Sequence, residues 1–231
     1  KEYSGSLQGE MYLHKLGSGL VTLSGENTFS QGTYISEGGL SLANANAIGT
    51  GNIWFDGGVK GDTTTYSSLG VSAGGDVSLT NNIHVKNGAV LNVLENQNMR
   101  MLGDLVSYDA RPGYETEFIK LGLGEATISG TLDADRQINI STFTVKDGGF
   151  VLDKNIVLNS YFSLDGQNAY LKINEDAGVK NNVIDIYSGD LIMFDENCIS
   201  SATAINFYNT ETSTEAFSKF HTMSTTTISN D

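Results

Sequence analysis

A short corner followed by an alternating strand recurs along the chain and limits what it can fold into. It reads I-S-E-G-G-L-S-L at 35–42, V-K-D-G-G-F-V-L at 145–152 and I-Y-S-G-D-L-I-M at 186–193; a fourth copy, V-K-N-G-A-V-L-N-V at 85–93, carries one extra residue. Each copy is a β-branched residue, two polar residues, a glycine, then a strand in which every second residue is apolar. Side chains two apart share a face of a strand. Leu40 with Leu42, Leu91 with Val93, Phe150 with Leu152, and Leu191 with Met193 are therefore expected to face one core. Ile35, Val85, Val145 and Ile186 join the same face. The glycine turns the chain where a Cβ would clash.

The copies start 50, 60 and 41 residues apart. Those intervals fit two to three units of about 20 residues, the period of a solenoid. A longer internal match points the same way. L-H-K-L-G-S-G-L-V-T-L-S-G at 13–25 and F-I-K-L-G-L-G-E-A-T-I-S-G at 118–130 are identical at seven of thirteen positions. No segment shows a sustained helical period; the best helix candidate is 214–223. A coil of this kind cannot bury its apolar side alone, but stacked coils enclose a continuous interior. The fold class expected is all-β: a right-handed parallel β-helix forming one elongated domain over 1–231. About ten coils of roughly 20–25 residues, at about 4.8 Å per coil, give a rod roughly 50 Å long. Asparagines at equivalent turns are expected to help by stacking their amides.

Two regions break the rhythm. S-Y-D-A-R-P-G-Y-E-T-E at 107–117 holds the only proline and reads as a protruding loop. Residues 201–231 are rich in Ser and Thr and read as a last coil or a frayed end.

The opening stretch, K-L-G-S-G-L-V-T-L-S-G-E-N-T-F-S-Q-G-T-Y-I-S-E-G-G-L-S-L-A-N-A-N-A-I-G-T-G at 15–51, resembles the autotransporter-associated β-strand repeat. Lys15, Gly17, Gly19, Ser24, Gly25, Asn27, Thr28, Phe29, Gly32, Thr33, Leu40, Leu42, Ile48 and Gly49 all sit on that pattern. The match is partial over 118–152, where Thr131-Leu-Asp133 follows Ser-Gly in place of the Asn-Thr-aromatic turn. The resemblance implies the passenger region of a type V secreted bacterial protein. It also implies a parallel β-helical fold, display on the outer membrane or secretion from a Gram-negative bacterium, and a C-terminal membrane barrel with no counterpart in these residues. The chain opens on Lys1, as expected of a piece of a longer protein.

Charge narrows the partners. Thirteen Lys and Arg against 27 Asp and Glu leave a net charge of −14 with no basic cluster. A phosphate backbone is repelled, so nucleic acid is not an expected partner, and an anionic membrane surface is disfavoured for the same reason. Cys198 is the only cysteine, so no intrachain disulfide is possible; a small buried apolar residue is its expected role.

The chemistry sought in the sequence is mostly not found. Gly70-Val-Ser72-Ala-Gly74 has the G-x-S-x-G pattern of a nucleophile elbow, but a strand follows where the elbow needs a helix. His14, His84 and His221 have no metal-ligand spacing, and Asp133-Ala-Asp135 lacks the rest of a calcium loop. No catalysis, cofactor or metal is expected. Carboxylate pairs at Glu115/Glu117, Asp133/Asp135, Glu175/Asp176 and Asp195/Glu196 resemble solvated turn residues of an acidic protein. Tyr and Arg are enriched in binding hot spots. Tyr108, Arg111 and Tyr114 of the proline loop are therefore the candidate partner-binding residues. The expected role is an adhesin or virulence-factor scaffold acting on a host-cell or matrix protein or glycan, or through self-association. A stalk presenting an enzyme such as a subtilisin-like protease is the first alternative. A carbohydrate-active β-helix, betrayed by an open aromatic groove with paired carboxylates, is the second.

Overall fold

The computed structural model describes residues 1–58, 65–72, 76–108, 115–129, 138–153, 155–180, 182–195, 198–208 and 219–222. Their strands pair only in parallel and stack into a β-solenoid, with almost no helix. Three faces alternate along each full turn. The first carries Tyr12–Lys15, Gly32–Ile35, Ile53–Phe55, Ile83–Val85, Leu105–Ser107 and Ile138–Asn139. The second runs from Glu2–Tyr3 through Leu20–Leu23, Gly39–Leu42, Ser67–Val71, Gly88–Val93, Glu117–Leu121 and Thr142–Val145 to Ala204–Phe207. The third holds Asp76–Leu79, Asn98–Met101, Glu125–Ile128 and Gly149–Leu152. Strands Tyr161–Ile173 and Val183–Met193 run across the corner from the second face to the third.

The turns are unequal: the second face passes from Glu2–Tyr3 to Ala204–Phe207 in nine register steps of 19 to 29 residues, around the expected period. From Val145 to its register partner Leu164 the chain uses 19 residues; from Leu42 to Val71 it uses 29. At about 4.8 Å per turn the rod is roughly 40 Å long. Residues 219–222, within the expected helix, instead form a strand in register with Asp190–Met193. Alternation and stacking win there over the weak helical pattern; 214–218 and 223 lie outside the described residues.

The alternating positions face inward as expected: Leu40, Leu42, Leu91, Val93, Phe150, Leu152, Leu191 and Met193 are all buried, with Ile35, Val85, Val145 and Ile186 beside them. Like residues stack in columns, as in Phe118, Phe143 and Phe162 on successive turns. Phe143 lies 5.8 Å from Phe118, edge-on, and 5.1 Å from Phe162, stacked. Turn asparagines bond the backbone of the adjacent coil: buried Asn27 donates to the Ala47 carbonyl at 2.5 Å and accepts from the Leu7 N–H at 2.8 Å, and Asn81 donates to Gly49 and Gly51. A carbonyl at the height of the next coil satisfies an amide without needing the same residue at every turn.

The two K-L-G-x-G stretches build one corner twice. Lys15 folds back so that Nζ donates to the carbonyls of Leu16 (3.2 Å), Gly17 (2.5 Å) and Glu37 of the next coil (2.9 Å). Lys120 does the same with Leu121 (2.9 Å), Gly122 (2.6 Å) and Asp147 (3.0 Å). Both lysines are buried. The glycine pairs of the recurring corner lie directly above. Gly38 (φ 62°) and Gly148 (φ 63°) have left-handed backbone, and a Cβ on Gly148 would meet the carbonyl oxygens of Gly124 and Gly122 at 2.4 and 2.5 Å. The Lys15 corner leads from the first face to the second; the Lys120 corner leads from the second to the third. The recurring motif therefore marks a corner type. Ile35 and Val85 precede one corner, Val145 and Ile186 the next, so the 60-residue interval between Val85 and Val145 is not a whole number of turns.

Two outcomes test the corner. Gly148→Ala, forced into left-handed backbone against two carbonyls, is expected to cost about 2 kcal/mol or more in chemical denaturation. Lys120→Met, which orphans three carbonyls, is expected to cost about 3 kcal/mol. Burial pushes the Lys120 ammonium down to about 8, against the opposing charges of Asp147 and Glu125. An unfolded lysine titrates near 10.4. Between those values the unfolded chain binds more protons at this group, so its contribution to stability rises with pH across that window. It is read as the difference in pH dependence between the native chain and Lys120→Met, which cancels the opposing titration of Cys198.

Candidate functional site

Outward positions on the first face form an aromatic stripe. His14, Tyr34, Trp54 and His84 are consecutive register partners on four turns, with Tyr12 beside the first. The buried neighbours Ile35, Phe55 and Val85 force these side chains outward by alternation. Tyr34 stacks on Trp54 with centroids 4.5 Å apart and planes 6° apart, and Trp54 on His84 at 5.3 Å and 14°. Tyr12 and His14 meet Tyr34 edge-on. The stack runs along the solenoid axis, so Trp54 has a ring against each of its faces. A sugar stacks on an open ring face; this stripe binds coil to coil. Ser36 and Asn52 hold the two histidines, with Oγ 2.9 Å from His14 Nε2 and Nδ2 3.2 Å from His84 Nε2.

Tyr108 of the proline loop follows the strand Leu105–Ser107 and lies against the coil. Its phenol donates to Asp56 Oδ1 at 2.5 Å, and Lys86 Nζ pairs with the same oxygen at 3.0 Å. Burial pushes the Asp56 carboxyl up, but the bonds from Tyr108 and Lys86 and the charges of Lys86 and His14 outweigh it and hold the group below its ordinary value. Arg111 and Tyr114 lie outside the described residues. Tyrosine braces recur elsewhere: the Tyr161 phenol bonds Asp185, and the Tyr170 phenol bonds Glu125 at 2.8 Å. Burial first, then the carboxylate partner, raises both phenol pKa values.

A groove opens where strands of the third face end. Ser129, Asp153, Asn174 and Phe194 each follow the last residue of a strand, and each N–H bonds the coil before. Arg100, two turns below Asp153, reaches along the surface. Its Nε donates to Ser129 Oγ (2.7 Å) and its Nη2 to Asp153 Oδ2 (2.5 Å). Ser129 donates to the same carboxylate oxygen and Asn174 to the other. Arg100, Asp153, Asn174, Glu175 and Phe194 line an open groove of about 500 Å³. Lys172 sits with Nζ 5.3 Å from the centre of the Phe194 ring. Of these residues only Glu175 stood out in the sequence, beside Asp176, which instead occupies a left-handed turn (φ 59°). Aligning the residue after each corner strand, Asp153 and Phe194, would have found the column.

The remaining candidates are placed as follows. Ser72 is exposed and lies between two strands, with Oγ 3.5 Å from the Leu42 carbonyl. Cys198 is buried as expected, and burial pushes its thiol up to about 11, so no thiolate forms at neutral pH. Glu117 accepts from Thr144 at 3.0 Å. Asp133, Asp135 and Glu196 lie outside the described residues. Among the described residues no group of three His, Cys, Asp or Glu side chains is placed to hold a metal, and no helix is long and apolar enough to cross a membrane.

Trp54 is the only tryptophan, so its emission reports the stripe. Burial, partly countered by Asp104, holds the His84 imidazole below its ordinary value. Emission is expected to change with a midpoint below the ordinary histidine value of about 6.5, and His84→Gln is expected to abolish that step. As pH falls through this window the unfolded chain takes up the proton first, so stability is lost.

No protein-family model, curated protein or solved structure matches the chain.

Proposed function

We propose that the chain is a solenoid segment of a bacterial protein displayed on the cell surface or secreted. It acts as an adhesin or virulence-factor scaffold through its outer surface rather than by catalysis. The observation that carries the scaffold part of the reading is how the outer side chains are engaged. Aromatic rings face one another along the axis, and phenols bond carboxylates of other coils. This is the arrangement of a surface built to hold a long, stiff stack. The K-L-G-S-G to A-I-G-T-G pattern at 15–51 adds its likeness to autotransporter repeats. The rings on the first face do not form the open aromatic groove of a carbohydrate-active β-helix.

The test is attachment of bacteria displaying the parent protein to host cells or extracellular matrix. Removing 1–231 is expected to abolish attachment, and replacing 108–114 with a Gly-Ser turn is expected to weaken it while surface display is intact. Unchanged attachment after removal of the whole segment, with a shorter reach for any attached enzyme domain, would establish the stalk in place of the adhesin. A serine without a base is an ordinary alcohol. A fluorophosphonate probe is therefore expected to leave Ser72 unlabelled in the folded protein.

A further inference from the structure

We propose that the groove lined by Arg100, Asp153, Asn174, Glu175 and Phe194 binds a neutral, hydroxyl-rich glycan. The proposal rests on the adhesin reading and names its ligand class. The volume of about 500 Å³ lies within the range of small-ligand sites. Its chemistry is mixed in the way a sugar requires. Phe194 is half-buried, with Lys172 Nζ over its ring, and its exposed part supplies an apolar surface for the C–H groups of a pyranose ring. Arg100 is an exposed donor fork held in place at Nε and Nη2 by Ser129 and Asp153. A guanidinium has five N–H groups, and two of them make those bonds; the others remain for hydroxyl oxygens. Glu175 is an exposed carboxylate acceptor at the rim, and the Asn174 amide, anchored through Nδ2 to Asp153, keeps its carbonyl oxygen as another acceptor.

Charge selects a neutral ligand. Arg100 is paired with Asp153, Glu175 adds a second carboxylate at the rim, and Lys172 lies beside Phe194, on a chain of net charge −14. A sialylated or sulfated glycan would gain little here and meet repulsion from the rest of the rod. The groove is also held in shape before any ligand arrives. Arg100 spans two turns to Asp153, and Asn174 and Phe194 belong to two further turns locked by backbone bonds. A preorganised site loses less entropy on binding. Asp153 is tied to Arg100, Ser129 and Asn174, an arrangement for positioning a guanidinium rather than for passing protons. The groove is therefore assigned binding without cleavage.

The experiment applies the purified chain to an array of neutral and sialylated glycans. The best neutral hit is then titrated by saturation-transfer NMR against native protein, Phe194→Ala, Arg100→Gln and Glu175→Gln. Expected are binding to neutral glycans and about tenfold weaker affinity in Phe194→Ala and Arg100→Gln, with the thermal midpoint of at least one of them unchanged. Glu175→Gln, exposed and conservative, keeps the groove testable if the other two unfold, and it too is expected to weaken binding. A blank array, binding confined to sialylated glycans, undiminished binding in all folded variants, or release of cleaved sugar would each overturn the proposal. Failure here is separable from failure of the adhesin reading. If cells still attach through this segment while the array stays blank, only the groove is wrong; if attachment survives loss of the segment, the adhesin reading itself has failed.

Discussion

Parallel strands have no hairpin to hold them in register, so each coil must close through corners that set the next strand directly over the last. The Lys15 and Lys120 corners achieve this with an ammonium group enclosed by three carbonyls, two from its own turn and one from the coil above. Charge-assisted bonds of this kind contribute about 1.5–3 kcal/mol each. They also satisfy carbonyls that a tight turn leaves without a partner. The left-handed glycine above lets the next coil sit down without a Cβ between the layers. Core register follows from this. Once the corner is fixed in height, Leu40 lies over Val21 and under Leu69, and the apolar columns follow without further instruction.

The acidic balance poses the opposite problem on the outside. With 27 acids and 13 bases, stacked coils bring like charges close at intervals of about 4.8 Å. Cations are too few to pair with every carboxylate. Phenols partner some of the rest, since Tyr108, Tyr161 and Tyr170 each donate to a carboxylate of another coil. A phenol supplies a hydrogen bond without desolvating a second charge, and its ring packs against neighbouring backbone. Uncharged contact also holds the first-face stripe, where Tyr34, Trp54 and His84 join three turns by ring contact and Asn52 adds a hydrogen bond to His84.

Much of this was legible in the sequence, and the parts that were not have physical reasons. The period-2 alternation placed Leu40, Leu42, Phe150, Leu152, Leu191 and Met193 inward, because a buried strand face tolerates little else. The glycine of the corner marked where the chain turns. What the motif could not reveal was which corner it turns. The same local geometry serves the junction of the first and second faces and that of the second and third, so sequence identity at 13–25 and 118–130 does not mean the same place in a coil. Asn27 and Asn81 were recognisable as turn residues, but their partners are backbone carbonyls 20 to 32 residues away. The groove was illegible because Arg100 and Asp153 are 53 residues apart and meet only when two turns are stacked.

The groove also shows where such a fold can acquire a function without disturbing itself. Ser129, Asp153, Asn174 and Phe194 follow the last inward residue of each strand, and the N–H of each bonds the coil before. The side chains of Asp153, Asn174 and Phe194 are half-buried and outside the apolar core, and that of Ser129 is buried against Arg100 and Asp153. A serine, an aspartate, an asparagine and a phenylalanine therefore occupy equivalent heights on successive turns with the same backbone hydrogen bond. Positions within the strands have no such freedom, since an inward residue must fill a column and an outward one meets its register partners on the turns above and below. Arg100 gains its role by lying across this column from an outward strand position, where Thr127 and Val151 stand between it and Lys172. Variation confined to that column alters the groove while leaving the corner lysines, the glycines and the core as they are.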